Sequence, residues 1–153
     1  MTFVIFTPSL ALHDAVSTDA YQSFLSLKRA GQDAILFAEV FDPFFKTMIP
    51  EPKNVFQLIR DPANTLILHH STYSRVGEEL FDEADCKIVI RYHNITPARF
   101  LAKGSDLFSR AIHKRLHQGR MQSYKYGSSL KTTKLVADSQ YLESTEFSPI
   151  IQT

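Results

Sequence analysis

Short apolar runs recur along this chain at intervals, each better sized for a strand than for a buried helix. Phe3-Val4-Ile5-Phe6, Ala34–Val40, Thr65–Leu68 and Lys87–Tyr92 are rich in β-branched and aromatic residues, and Lys134–Ala137 repeats the pattern late in the chain. Segments with helical spacing lie between them. Asp14 is placed to cap a helix over Ala15–Ala30, whose apolar positions Ala20, Phe24, Leu27 and Ala30 share a face and which Gly31 ends. Asn54–Arg60 and Arg75–Glu83 read as two further helices, with a helical turn near Pro97–Lys103 and a longer helix from about Ser105. Pro8 ends the first strand, prolines 43, 50 and 52 mark a loop, and Gly127-Ser128-Ser129 breaks the last helical pattern. This alternation predicts an α/β fold with a mostly parallel sheet and helices on both faces. At 153 residues the chain has room for one such core and hardly for two.

In an open parallel sheet, ligands bind beyond the carboxyl ends of the strands. Three of the strands end there in polar pairs: His69-His70, followed by Ser71; His93-Asn94; and Asp138-Ser139. The most informative of them closes the run Lys87-Ile88-Val89-Ile90-Arg91-Tyr92-His93-Asn94-Ile95-Thr96-Pro97, where a buried strand gives way to a titratable ring and an amide before Pro97 opens a helix capped by Thr96. Such a pair has the position and the chemistry of a site. A plainer reading stays open: Asn94 makes a turn and His93 is a satisfied, partly buried histidine.

Several chemistries lack their signatures. There is no GxxxxGK(S/T) or GxGxxG loop for phosphates and no GxSxG elbow for a nucleophilic serine. His69, His70 and His93 show neither HExxH nor CxxC spacing, so no metal is expected. The single cysteine, Cys86, excludes an internal disulfide, suits a reducing compartment and reads as a small core residue. With no signal sequence and no apolar run near 18 residues, the expectation is a cytoplasmic protein.

The near-neutral charge conceals an asymmetry. From Arg99 to Lys134 there are nine Lys and Arg against one acid, Asp106, leaving eight basic and fifteen acidic residues elsewhere. Arg110, Lys114, Arg115 and Arg120 alternate there with Phe100, Leu101, Leu107, Phe108, Ile112 and Leu116. A one-signed block in a neutral domain points to an anionic partner surface. A nucleic-acid-binding or non-catalytic module using residues 99–134, with Tyr124 and Tyr126 available for stacking, is the alternative reading of that block.

Taken together, four pieces resemble the N-terminal, acceptor-side domain of a GT-B fold glycosyltransferase, most closely glycosyltransferase family 4. They are Asp14-Ala15-Val16 with Gly31; Leu66-Ile67-Leu68-His69-His70-Ser71; Ile90-Arg91-Tyr92-His93-Asn94-Ile95-Thr96-Pro97; and Leu135-Val136-Ala137-Asp138-Ser139. The resemblance spans essentially all of residues 1–153 and implies one Rossmann-like domain. It further implies a retaining, hexosyltransferase-type enzyme moving a sugar from a nucleotide-sugar donor to a glycan or lipid-linked acceptor. No tightly bound cofactor and no metal are implied. The donor-binding C-terminal half of such an enzyme is expected to lie outside this chain, leaving the fragment inactive alone.

By the same resemblance His93 is the catalytic residue, facing the transferred sugar. Asn94, His69, His70, Ser71, Asp14, Asp138 and Ser139 are the candidates for donor-sugar or acceptor contact. Arg110, Lys114, Arg115 and Arg120 are those for peripheral contact with an anionic membrane. One departure stands out. The loop Pro8-Ser9-Leu10-Ala11-Leu12-His13-Asp14 lacks the glycine with which the family often approaches the donor phosphates.

Overall fold

A computed structural model of the chain describes residues 1–93 and the strand 133–137. In chain order the elements are β1 (Thr2–Leu10), α1 (Ala15–Arg29), β2 (Asp33–Phe41), a 3-10 turn (Pro43–Phe45), α2 (Pro52–Ile59), β3 (Thr65–His70), α3 (Arg75–Glu83), β4 (Lys87–Tyr92) and β5 (Thr133–Ala137). The five strands form one sheet, ordered β2-β1-β3-β4-β5, with every neighbouring pair parallel. From β1 the chain steps outward to β2, then returns past β1 to build β3, β4 and β5. The order therefore reverses beside β1, as in other doubly wound α/β sheets. This is the expected α/β class with a single Rossmann-like architecture.

Strand alternation sorts the core into two layers. Val4, Phe6, Leu66, Leu68, Ile88 and Ile90 face one way, against Val55 and Ile59 of α2 and Leu80 and Phe81 of α3. Ile5, Leu36 and Ala38 face the other, against Ala20, Phe24 and Leu27 of α1. Helices thus cover both faces, and each fully buried aliphatic contributes about 1.5–3 kcal/mol relative to exposure. Cys86 is buried in the first layer, as its sequence context suggests. Among the described residues no helix is long and apolar enough to cross a membrane.

Local signals set most boundaries. Asp14 caps α1 by accepting from the Ser17 N–H, and Gly31 closes the helix at φ 71°. Gly31 N–H bonds Lys28 O and Gln32 N–H bonds Leu27 O, the pairing of a glycine-terminated helix. Ala30, expected on the apolar face, is exposed at the C-cap. Pro8 does not end β1. The β1–β3 ladder has already finished at Phe6↔Leu68, while β1 continues beside β2 to Leu10↔Phe41, so the missing N–H falls where the second partner has gone. Likewise Pro52 starts α2 at its first position, two residues before the expected start, because the helix needs no N–H there. The strand expected at Lys134–Ala137 is β5, whereas the expected helical segments after Pro97 lie outside the described residues.

Close packing of α3 on β1 depends on Gly77. A Cβ there would lie 2.8 Å from a ring carbon of Phe6, which is fully buried, and 3.3 Å from Ser74 Oγ, the cap that accepts the Gly77 N–H. Alanine in place of glycine favours a helix by about 1 kcal/mol, but overpacking a core typically costs about 1–3 kcal/mol. Gly77→Ala is therefore expected to lower the unfolding free energy in urea titrations, by about 1 kcal/mol net. A variant more stable than wild type would show that Phe6 has room to move.

Candidate functional site

The β3–β4 register sets the geometry at the carboxyl end of the sheet. His69 lies opposite Arg91 and His70 opposite Tyr92. Consecutive strand residues point to opposite faces, so His69 turns toward the layer of Ile67 and α1, while His70 turns toward the layer of Leu68. The two histidines close β3 instead of following it, and they do not share a site. His70 lines a small cleft with Phe6, Pro8, Thr72 and Gly77. His93 follows β4 directly, and its N–H donates to His70 O at 3.0 Å, prolonging the ladder by one bond. That keeps its ring on the face of His69 and Arg91.

On this face four side chains meet. His69 Nδ1 and His93 Nε2 are 2.9 Å apart, with the two rings inclined by 20°. Asp19, on α1, brings Oδ2 to 3.5 Å from His69 Nδ1 and 3.7 Å from His93 Nε2. Arg91 grips this carboxylate with two donors, Nε to Oδ2 and Nη2 to Oδ1, the latter at 3.1 Å. His69 is wholly buried and His93 nearly so, whereas Asp19 and Arg91 are about one-third exposed, at 32% and 34%. Burial, reinforced by His93 and Arg91 against the opposing pull of Asp19, pushes the His69 pKa down to about 3. The His69 ring is therefore neutral at physiological pH. One of the two facing nitrogens donates and the other accepts.

Asp19 and Arg91 are functional candidates that sequence reasoning missed. Each carries a signal: Asp19 immediately precedes the buried Ala20 on a helix that packs on the sheet, and Arg91 interrupts a strand with apolar residues on both faces. A charge in either place calls for a partner. Their separation of 72 residues hides which one.

His69, His93 and Asp19 also offer three ligand atoms within 4.8 Å of one another, a spacing a divalent transition metal would accept. Two features fit a metal poorly. The oxygen that would ligate already accepts from Arg91 Nε, placing a fixed cation beside the would-be ion. Metal on His69 Nδ1 would also put a proton on Nε2, which is buried and has no hydrogen-bond partner among the described residues, whereas ligating histidines almost always donate that proton. The four residues form a hydrogen-bonded cluster more readily than a metal centre.

The remaining candidates are dispersed. Asp14 Oδ2 accepts from Ser17 N at 2.8 Å and from Ser17 Oγ at 2.7 Å, so its carboxylate serves the helix cap. Ser71 is half-buried just beyond β3. Asn94, Asp138, Ser139, Arg110, Lys114, Arg115 and Arg120 lie outside the described residues. The β1–α1 loop lacks glycine, yet His13 adopts φ 63°, the left-handed region that costs a side-chain-bearing residue roughly 1–2 kcal/mol. Leu12 N–H bonded to Asp42 Oδ2 at 2.7 Å holds the loop in place. No protein-family model, no curated protein and no solved structure matches the chain.

The depressed His69 pKa has a measurable consequence. Above pH 6.5 the ring is neutral folded or unfolded, and it contributes nothing to pH dependence. Between pH 6.5 and about 3 the unfolded ring takes a proton that the folded one refuses, so stability falls by roughly 1.4 kcal/mol per unit of acidification. Urea melts at pH 7 and pH 5 should show wild type losing about 2 kcal/mol more than His69→Gln. Equal losses would mean that the folded ring protonates normally.

Proposed function

We propose that this chain is the acceptor-side domain of a retaining glycosyltransferase that moves a sugar from a nucleotide-sugar donor to a glycan or lipid-linked acceptor. The observation that carries this reading is the position of His93 at the carboxyl end of a parallel strand, its ring bonded to neutral His69 and backed by Asp19 and Arg91. The strand order and the resemblance in the Arg91–Pro97 segment support it from two further directions.

In such a transfer the bond between the sugar and the leaving phosphate stretches first, and positive charge develops on the sugar ring. A fixed dipole whose negative end faces that ring, or a donor that holds a sugar hydroxyl or the departing phosphate in place, stabilises that state without reorganising. His93 takes this role and forms no covalent bond to the sugar. Asn94 positions the acceptor or the adjoining loop. Neither residue requires a metal. The basic segment from Arg99 to Lys134, with Arg110, Lys114, Arg115 and Arg120 at its centre, holds the enzyme against the anionic surface on which lipid-linked acceptors sit.

Replacing His93 tests the reading. In the full-length protein, assayed with a panel of nucleotide sugars in the presence of a chelator, His93→Ala should lower kcat by about 10²–10³, equivalent to roughly 3–4 kcal/mol. Because His69 then loses its partner, a stability loss of about 1–3 kcal/mol is expected as well, so turnover is scored per folded molecule. Normal turnover in the folded fraction would remove His93 from the active site.

The membrane role predicts salt-sensitive adsorption to anionic vesicles, with each exposed cation contributing about 1 kcal/mol. Sedimentation with neutral and with anionic vesicles, at low and high salt, measures it. Equal binding to both would exclude charge as the cause.

A further inference from the structure

We propose that Asp19, Arg91 and His69 act as positioning residues that lock His93 into one tautomer, with its proton on Nδ1 and its Nε2 held as an acceptor. His69 Nδ1 and His93 Nε2 stand 2.9 Å apart and one proton lies between these facing nitrogens. It belongs either to His69 Nδ1 or to His93 Nε2, and each choice fixes where the second nitrogen of each ring stands.

Three observations favour His69 Nδ1 as the donor. If His93 Nε2 donated instead, His69 would carry its proton on Nε2, which is buried and without a hydrogen-bond partner among the described residues. An orphaned buried N–H is the rarer and costlier defect. With the proton on Nδ1, Nε2 becomes a bare lone pair. Next, Asp19 Oδ2 stands 3.5 Å from His69 Nδ1 and 3.7 Å from His93 Nε2, so the carboxylate flanks an N–H on His69 slightly more closely. Finally, Arg91 donates to both oxygens of that carboxylate and fixes its orientation beside the imidazoles. His69 Nδ1–H thus donates to His93 Nε2 with Asp19 on its flank, and His93 holds its own proton on Nδ1. Under the sugar-transfer reading, on which the inference rests for the identity of the ligand alone, His93 then brings an N–H, not a lone pair, to the sugar.

Long-range ¹H–¹⁵N correlation spectra of the ¹⁵N-labelled chain at pH 7 read these protons directly. Wild type should show a pyrrole-type Nδ1 and a pyridine-type Nε2 in both His69 and His93. In Asp19→Ala no carboxylate flanks either facing nitrogen, so the His69 proton should redistribute between Nδ1 and Nε2. A purely structural Asp19 would lower Tm and leave both tautomers unchanged, which would overturn the proposal. So would a wild-type His69 protonated on Nε2, a measurement that stands even if the variant fails to fold. Equimolar zinc should leave both rings unaltered, and a shift of both to a metal-bound pattern would replace the shared proton with an ion. None of these spectra contains a sugar. Normal transfer by His93→Ala would therefore remove the sugar-transfer reading while the tautomers stayed as assigned.

Discussion

In the β3–β4 ladder, His69 stands opposite Arg91 and His93 donates its N–H to His70 O. Everything at the carboxyl end of the sheet depends on this register. A slip of β4 by one residue would turn Arg91 to the α2–α3 face and bring Ile90 out of its layer. The register is secured far from the site by Leu66, Leu68, Ile88 and Ile90, all buried in one core. Packing in the middle of the sheet therefore sets hydrogen bonding at its rim, and no residue of the cluster has to hold its own strand in place.

The Asp19–Arg91 pair performs a different task from the other ion pairs. Arg60–Glu83, Arg75–Glu79 and Lys28–Asp33 all have at least one partner more than half exposed, and solvent screens such pairs so that they add little. Asp19–Arg91 joins α1 to β4 across the sheet face, is bidentate, and has two buried imidazoles behind it. Its partial exposure limits the Coulombic gain. Its structural value lies in geometry, because a bidentate guanidinium fixes the carboxylate in orientation as well as in charge.

Much of this was legible in the sequence. α3 and β4 have the bounds that periodicity indicates, and Asp14 and Gly31 end α1 as cap chemistry requires. Where reading failed, a tertiary contact overrode a local rule. Pro8 breaks a strand only where a neighbouring strand needs its N–H, and the β3 ladder had ended before it. His69 and His70 look like one motif until strand alternation sends them to opposite faces. Asp19 was invisible as a site residue because its partners are Arg91, His69 and His93, brought together by the return of the chain past β1. Sequence pattern gives the face a residue occupies far more readily than the residue it meets there.

Whether His93 is a satisfied core histidine or part of a working site turns on what the cluster does to the fold. A satisfied core histidine needs one partner and imposes nothing on its neighbours. Here His69 is wholly buried, leaves Nε2 unmet among the described residues, and loses its neutral form only near pH 3. An aliphatic side chain at that position, of the kind filling the same layer at Ile5, Ile67 and Leu36, would avoid both the desolvation and the acid sensitivity. Arg91 and Asp19 add charges beside a core built of Ile5, Ala20, Leu36 and Ala38. His69, His93, Asp19 and Arg91 bring four polar or charged groups against one another within one small volume at the carboxyl end of a parallel sheet. That concentration is the physical ground on which the proposed role of His93 rests.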